Sequence, residues 1–248
     1  MFIRWVFAFC LGAAVFATEL NAQTSPVSLG VNRTQTVNPY YFVGRVNTKF
    51  GASSYIGSGT VIASRSVITC GHVVWKAGLG WATNVYFQRG LYNSSVLKTI
   101  YASRKVLLGG YTSAVNTYGV RSSQSYSYDL AALNFVADPA NGASAGWWAN
   151  TTLLTGTSYN MSLGYGGVIH NGRELLRSAP SESFYQRHGG YYFNDSYLIE
   201  SGMSGGPVFA KSGATWYVCG VNVSGNETGS GIRAFDTTAD RFIRSNLY

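Results

Sequence analysis

The feature that most constrains this chain is the recurrence of short β-branched and aromatic runs, each closed by Gly, Ser or Asn. "YYFVGRV" (40–46), "SGTVIA" (58–63), "SVITCGHVV" (66–74), "TNVYFQR" (83–89), "KVLLGG" (105–110) and "LAALNFV" (130–136) form a first series. Runs of this length between turn formers read as strands joined by tight connections. After the loop "ADPANGASAGWWAN" (137–150) a second series follows: "YNMSLGYGG" (159–167), "ESFYQR" (182–187), "YYFNDSYLI" (191–199), "GPVFA" (206–210), "TWYVCGVNVS" (215–224) and "SGIRAF" (230–235). Helical character is expected only in "TTADRFIRSNLY" (237–248), where Phe242 and Leu247 stand among polar residues after a Thr and Asp start. The chain is therefore expected to be all-β, with two groups of about six antiparallel strands, each closed into a barrel or sandwich, and a C-terminal helix.

The first 22 residues carry one base (Arg4), an apolar run from Trp5 to Ala17 and small residues before a polar stretch, the pattern of a secretory signal peptide. A membrane anchor is the alternative, but the run falls short of the roughly 20 residues that span a bilayer. Cleavage is expected near Ala22 or Ala17, leaving a secreted or periplasmic protein that no longer associates with a membrane. Residues 23–39 then form an N-terminal arm or a short propeptide, 40–140 the first β unit and 141–248 the second. Loss of Arg4 and Glu19 leaves the net charge at +8. Lys and Arg are scattered without a run of three, so nucleic acid is not an expected partner, whereas acidic envelopes or peptides are. Cys10 leaves with the signal, so Cys70 and Cys219 are candidates for a single disulfide in an oxidising compartment.

With three histidines in the chain, His72, His170 and His188, the chemistry can be enumerated. They stand apart, without paired cysteines or close acidic partners, so neither a metal site nor a cofactor is expected. His72 closely follows a strand-like run, and Asp129 in "SYSYDLAALNF" interrupts an apolar one. A carboxylate there either caps a loop or accepts hydrogen bonds from a specific partner such as an imidazole, because burying it unpaired is expensive. "ESGMSGGPVF" (200–209) sets Ser204 between glycines, either a nucleophile or merely a tight turn. The acid and histidine follow the serine in α/β hydrolases, yet no histidine lies beyond residue 188. Subtilisin-like order is formally available through Asp129, His188 and Ser204, but that architecture needs alternating strands and helices. The arrangement left is His72, Asp129 and Ser204 in a strand-rich chain of two parts.

"SVITCGHVV", "YSYDLAALNF" and "ESGMSGGPVF" resemble, in order, the histidine, aspartate and serine motifs of the chymotrypsin-like (trypsin fold) serine peptidases, in their bacterial secreted branch. "SGTVIASRSVIT" is similar to the hairpin before the histidine, "MSLGYGG" to the opening of the second barrel, and "WYVCGVNVSG" to the substrate-lining strand after the serine, so the likeness spans about residues 40–245. The resemblance implies two six-stranded barrels packed around a cleft, a monomer, and protein or peptide substrates. It implies Ser204 as nucleophile, His72 as general base and Asp129 as its orienting acid. Oxyanion donors would be the backbone N–H groups of Gly202 and Ser204.

Several positions depart from the family. Met203 replaces the aspartate by which animal digestive members capture a freed N-terminus, so the oxyanion hole is expected to form without that switch. Leu198, six residues before Ser204, takes the place of the trypsin-type aspartate, so cleavage after Lys or Arg is not expected. The pocket wall would come from Val223, Ser224, Gly225, Gly231 and Arg233. An arginine at its base would favour Glu or Asp in the substrate; alternatively, Arg233 points outward or pairs with a nearby acid. Asn222 stands where the glutamyl endopeptidase branch carries a histidine. A catalytically silent homologue, binding protein or glycan through the same cleft, is the competing function, against which the intact His72, Asp129 and Ser204 weigh.

Overall fold

Alternation builds the first unit. In the computed structural model, which describes residues 25–156, 159–179, 183–226 and 228–248, Val46, Val61, Val67, Phe87, Leu133 and Phe135 are fully shielded from solvent. They come from strands β1 (Val43–Phe50), β2 (Ser53–Ala63), β3 (Ser66–Thr69), β4 (Thr83–Arg89) and β6 (Ala131–Phe135), which with β5 (Lys98–Leu107) close a six-stranded barrel in the order β1-β2-β3-β6-β5-β4. Burial of each large apolar side chain contributes about 1.5–3 kcal/mol. The expected leader, residues 1–22, lies outside the described residues.

The second unit is a sheet that does not close. Asn160–Gly164 (β7), Leu176–Ser178 (β8), Tyr185–His188 (β9), Tyr191–Asn194 (β10), Pro207–Ser212 (β11), Thr215–Asn226 (β12) and Gly229–Ala234 (β13) run antiparallel in the order β8-β7-β11-β12-β13-β10-β9. An eighth strand, Val27–Ser28 of the N-terminal arm, pairs with β8 and covers that edge, so the expected second closed barrel is corrected to an open eight-stranded sheet. The residues expected as strand in 66–74 divide, because Cys70 turns the chain into a single helical turn, α2 (Gly71–Val74), after β3. Helices α1 (Gly30–Thr36), α3 (Tyr111–Tyr118) and α4 (Ser123–Tyr126) arise where no periodicity announced them; α5 (Thr237–Ser245) is the anticipated terminal helix.

The core is continuous between the units: Val43, Val67 and Leu133 of the barrel share one cluster with Leu163, Phe209 and Val221 of the sheet. A smaller cluster, including Phe184, Tyr197, Val208 and Cys219, lies on the opposite face of the sheet, because Val208 and Cys219 alternate along their strands with Phe209 and Val218 of the larger cluster. Cys70 and Cys219 belong to these separate clusters and are both free, buried thiols, so the anticipated disulfide is not present. Burial raises the Cys219 thiol to about 12, which leaves it neutral. Among the described residues no helix is long and apolar enough to cross a membrane.

Candidate active site

His72 rides on α2, so the turn that ends β3 also delivers an imidazole to the groove between the two units. Asp129 lies just before β6 and is buried, yet its carboxylate is fully engaged by one residue. Oδ1 accepts the His72 backbone N–H at 2.9 Å, and Oδ2 lies 2.6 Å from His72 Nδ1. This double contact offsets the cost of burying the charge and favours the tautomer that carries its proton on Nδ1. Burial by itself disfavours the charged imidazole, but its contacts with Cys70 and Asp129 outweigh that effect and hold His72 well above the ordinary histidine value. The Cys70 thiol, 3.6 Å from His72 Nε2, is itself pushed upward by burial and stays neutral. The charge acting on the imidazolium is therefore that of Asp129.

Ser204 occupies a turn whose carbonyls are tied from both units. The Ser201 carbonyl accepts Gly167 N–H at 2.6 Å, the Gly202 carbonyl accepts Ser58 Oγ–H at 2.8 Å, and the Ser204 carbonyl accepts Ser58 N–H at 2.7 Å. Met203, Gly205 and Gly206 spend their own N–H groups on Glu200, Asn222 and Met203 carbonyls. The N–H groups of Gly202 and Ser204 meet no acceptor among the described residues. At two places in this turn both the backbone conformation and the space demand glycine. Gly202 has φ +97°, and a Cβ there would sit 2.5 Å from the Tyr165 carbonyl. Gly205 has φ +80°, and its Cβ would meet Thr69 Oγ1 at 2.1 Å. Met203 is wholly buried against Gly164, an apolar plug where a charge would find no partner.

His72 and Asp129 are thus joined directly. Ser204 stands across the groove with no hydrogen bond to His72 among the described residues; such contacts are often long without substrate. Two adjoining clefts, of about 680 and 500 Å³, hold Ser204 and His72 respectively and share Arg121, Tyr126 and Val223 as a common border. Tyr126 of α4 and Tyr191 of β10 pack with ring centroids 5.1 Å apart, bridging the units above the groove.

Of the expected pocket residues, Val223, Ser224 and Gly225 line the larger cleft. Leu198 does not; its neighbours Ile199, Glu200 and Ser201 do. Gly231 lies beneath the Tyr191 ring, whose hydroxyl is 2.9 Å from Ser224 Oγ, so its bare backbone seats a lining residue instead of forming the lining. Arg233 is corrected most clearly. Its guanidinium folds under Gly190, where the missing side chain leaves room, donates to the Ala234 carbonyl and pairs with Asp236 at 3.0 Å. The cations that do line the larger cleft are Arg121 and Arg187. Asn222 is fully buried and bonded on every side, so it does not face the cleft as the histidine of the glutamyl branch would.

Sequence reading passed over Ser58, Arg121, Tyr126, Arg187 and Tyr191. Of these, Ser58 is a buried hydroxyl that shares its face of β2 with the equally buried Thr60, so nothing in the sequence singled it out. The expectation that the histidines lack close acidic partners is corrected: His72 pairs with Asp129, His170 Nδ1 lies 3.6 Å from Glu174 Oε1, and folding brings donor atoms of Cys70, His72 and Asp129 within 4.8 Å of one another. The His72 to Asp129 hydrogen bond occupies Nδ1 within that group.

Comparison with known proteins agrees with this fold. The profile of the trypsin-like peptidase domain matches residues 57–221. No curated sequence matches at a significant level. A glutamyl endopeptidase structure solved with MPD aligns at TM-score 0.67 and 21% identity over 89% of this chain and 95% of its own. The protease Anisep from Arthrobacter nicotinovorans aligns at 0.66 and 19% identity over 83% and 94%. The thermostable serine protease AL20 from an extremophilic microorganism aligns at 0.65 and 17% identity over 81% and 94%.

Proposed function

We propose, for a chain that belongs to the trypsin-like peptidase family, that it is an exported serine endopeptidase in which Ser204, His72 and Asp129 form the catalytic triad. The observation that carries this reading is the buried Asp129 carboxylate on His72 Nδ1, facing across the groove a serine turn with two unspent amides. Ser204 Oγ attacks the scissile carbonyl while His72 Nε2 takes its proton, which then passes to the leaving amine as the peptide bond breaks. Water repeats the sequence on the acyl-enzyme and returns Ser204 to its hydroxyl. The Gly202 and Ser204 N–H groups receive the developing oxyanion, and donors of this kind are each worth about 3–4 kcal/mol. Export rests on the apolar leader of residues 1–22.

A preference for acidic residues cannot rest on Arg233, whose charge is spent on Asp236. Arg187 and Arg121, exposed in the cleft that holds Ser204, supply positive charge in its place, while Glu200 is turned to the Val168 and Ile169 amides. Reaction with a fluorophosphonate probe tests the peptidase assignment: wild type is expected to be labelled and Ser204→Ala to be inert. A folded, unreactive wild type means a silent homologue. In the same preparation a peptide library reads the pocket, where cleavage after Glu and Leu at equal rates, unaltered in Arg187→Ala, would remove the acidic preference.

A further inference from the structure

Asn222 is a polar side chain in the middle of the apolar run of β12, with no measurable exposure. Its amide is saturated: Oδ1 accepts Ser162 Oγ–H at 2.9 Å and the Tyr197 hydroxyl, and Nδ2 donates to the carbonyls of Leu163 at 3.3 Å and Met203 at 3.1 Å. The assignment of oxygen and nitrogen follows from chemistry, because two carbonyls can only accept and must face the NH2 group. Its main chain is tied to the same turn, the carbonyl accepting from Gly205 N–H at 2.8 Å and the N–H donating to the Gly206 carbonyl at 2.9 Å.

The Met203 carbonyl belongs to the peptide unit whose N–H is that of Ser204. Since C=O and N–H of a trans peptide point in opposite directions, donors that hold this carbonyl inward aim the Ser204 N–H outward. Asn222 Nδ2 and Gly206 N–H, the latter at 3.0 Å, are those donors. We infer that Asn222 is a positioning residue that sets the orientation of the Ser204 oxyanion donor, a neutral latch in a chain where Met203 leaves no charge to capture an N-terminus. This rests on the peptidase reading above. Flipping of the peptide would turn a carbonyl toward the oxyanion, and hydrogen bonds to the Met203 carbonyl oppose the flip. Substrate contacts are untouched, so the effect belongs to the transition state.

The test compares Asn222→Val with wild type on a peptide ester or amide, with active-site titration to count folded enzyme. A fall in kcat of about 10-fold to 100-fold is expected, below the 10²–10³ of deleting a donor outright, with KM within about twofold. Affinity for a peptidyl boronate, which mimics the tetrahedral state, should fall by the same factor. Tyr197→Phe, which removes one hydroxyl that holds the Asn222 oxygen, should give a smaller loss of the same kind and guards against a Val variant that fails to fold. Full kcat and boronate affinity per titrated site in either folded variant, with only the melting temperature lowered, overturns the inference. Inert wild type would instead sink the peptidase reading itself.

Discussion

At the scale of single residues, the Asp129 carboxylate does two jobs through one neighbour. It fixes the His72 ring by its Nδ1 contact and the start of α2 by its bond to the His72 N–H. The sign of the titration follows. Burial opposes the charged imidazole, contacts with Cys70 and Asp129 favour it, and the net shift is upward from 6.5. A general base must be neutral, so kcat/KM should rise with pH along a limb centred above 6.5. In Asp129→Asn the carboxylate is gone and burial is unopposed by its charge, so the limb should move to lower pH while kcat falls about 10⁴-fold. A pH–rate profile of both enzymes checks this, and an unmoved limb would show that Asp129 does not set the imidazole. These residues were legible because each sits in a short motif whose neighbours are local. For Arg233 the sequence left two alternatives, pocket base or pairing with a nearby acid, and the second holds; alternation could not decide between them because it gives only the side of a strand, and what covers that side, here Gly190 and Asp236, depends on the fold.

At the scale of elements, most strand positions followed from β-branched and aromatic runs, although Leu176–Ser178 lay in no expected run, Lys98–Leu107 begins seven residues before its run and 195–199 is not strand; closure of the second sheet did not follow. Closure depends on which edges meet, a property of distant pairings that composition cannot carry. Helix α3 was missed because its buried stripe, Tyr111, Ala114 and Val115, is one turn long and set among Thr, Ser and Asn, and α4 because its Ser, Gln and Tyr offer no stripe at all; α4 owes its start to the Ser122 hydroxyl, which accepts the Ser125 N–H. Helix α5, announced by the Thr and Asp at the start of 237–248, is capped one residue before that segment by Asp236, which serves two elements. Asp236 accepts the Ala239 N–H at 2.8 Å and pairs with the buried Arg233 of β13, so one carboxylate begins the helix and neutralises the strand. Asp236→Ala should therefore cost about 2 kcal/mol, more than a simple cap, since Arg233 keeps its charge without a partner. Calorimetry should show the lowered melting temperature, and cleavage preference should be unchanged. An altered preference at the cleavage site would return Arg233 to the pocket.

For the molecule as a whole, the two chain ends cross over. The N-terminal arm precedes the barrel but adds its strand Val27–Ser28 to the second sheet, while the C-terminus follows the sheet and returns to the barrel. Asn134 Nδ2 of β6 donates to the Asn246 carbonyl at 2.8 Å, and Tyr248 N–H donates to Ser66 Oγ at 2.9 Å. Neither crossing was visible in the sequence, since the arm has only two strand residues and the final turn is polar. With a core shared between the units and straps at both ends, the fold does not depend on a covalent staple. Two consequences separate these sources of stability. Excess dithiothreitol should leave the melting temperature unchanged, and Cys70 and Cys219 should resist alkylation until the protein is denatured. Deleting residues 246–248 should instead strip Asn134 of a buried acceptor, at about 1–3 kcal/mol, and lower the melting temperature by about 2–4 °C per kcal/mol for a chain of this size. Destabilisation by reductant, with no effect of the truncation, would mean that a disulfide and not the crossed straps holds the units together.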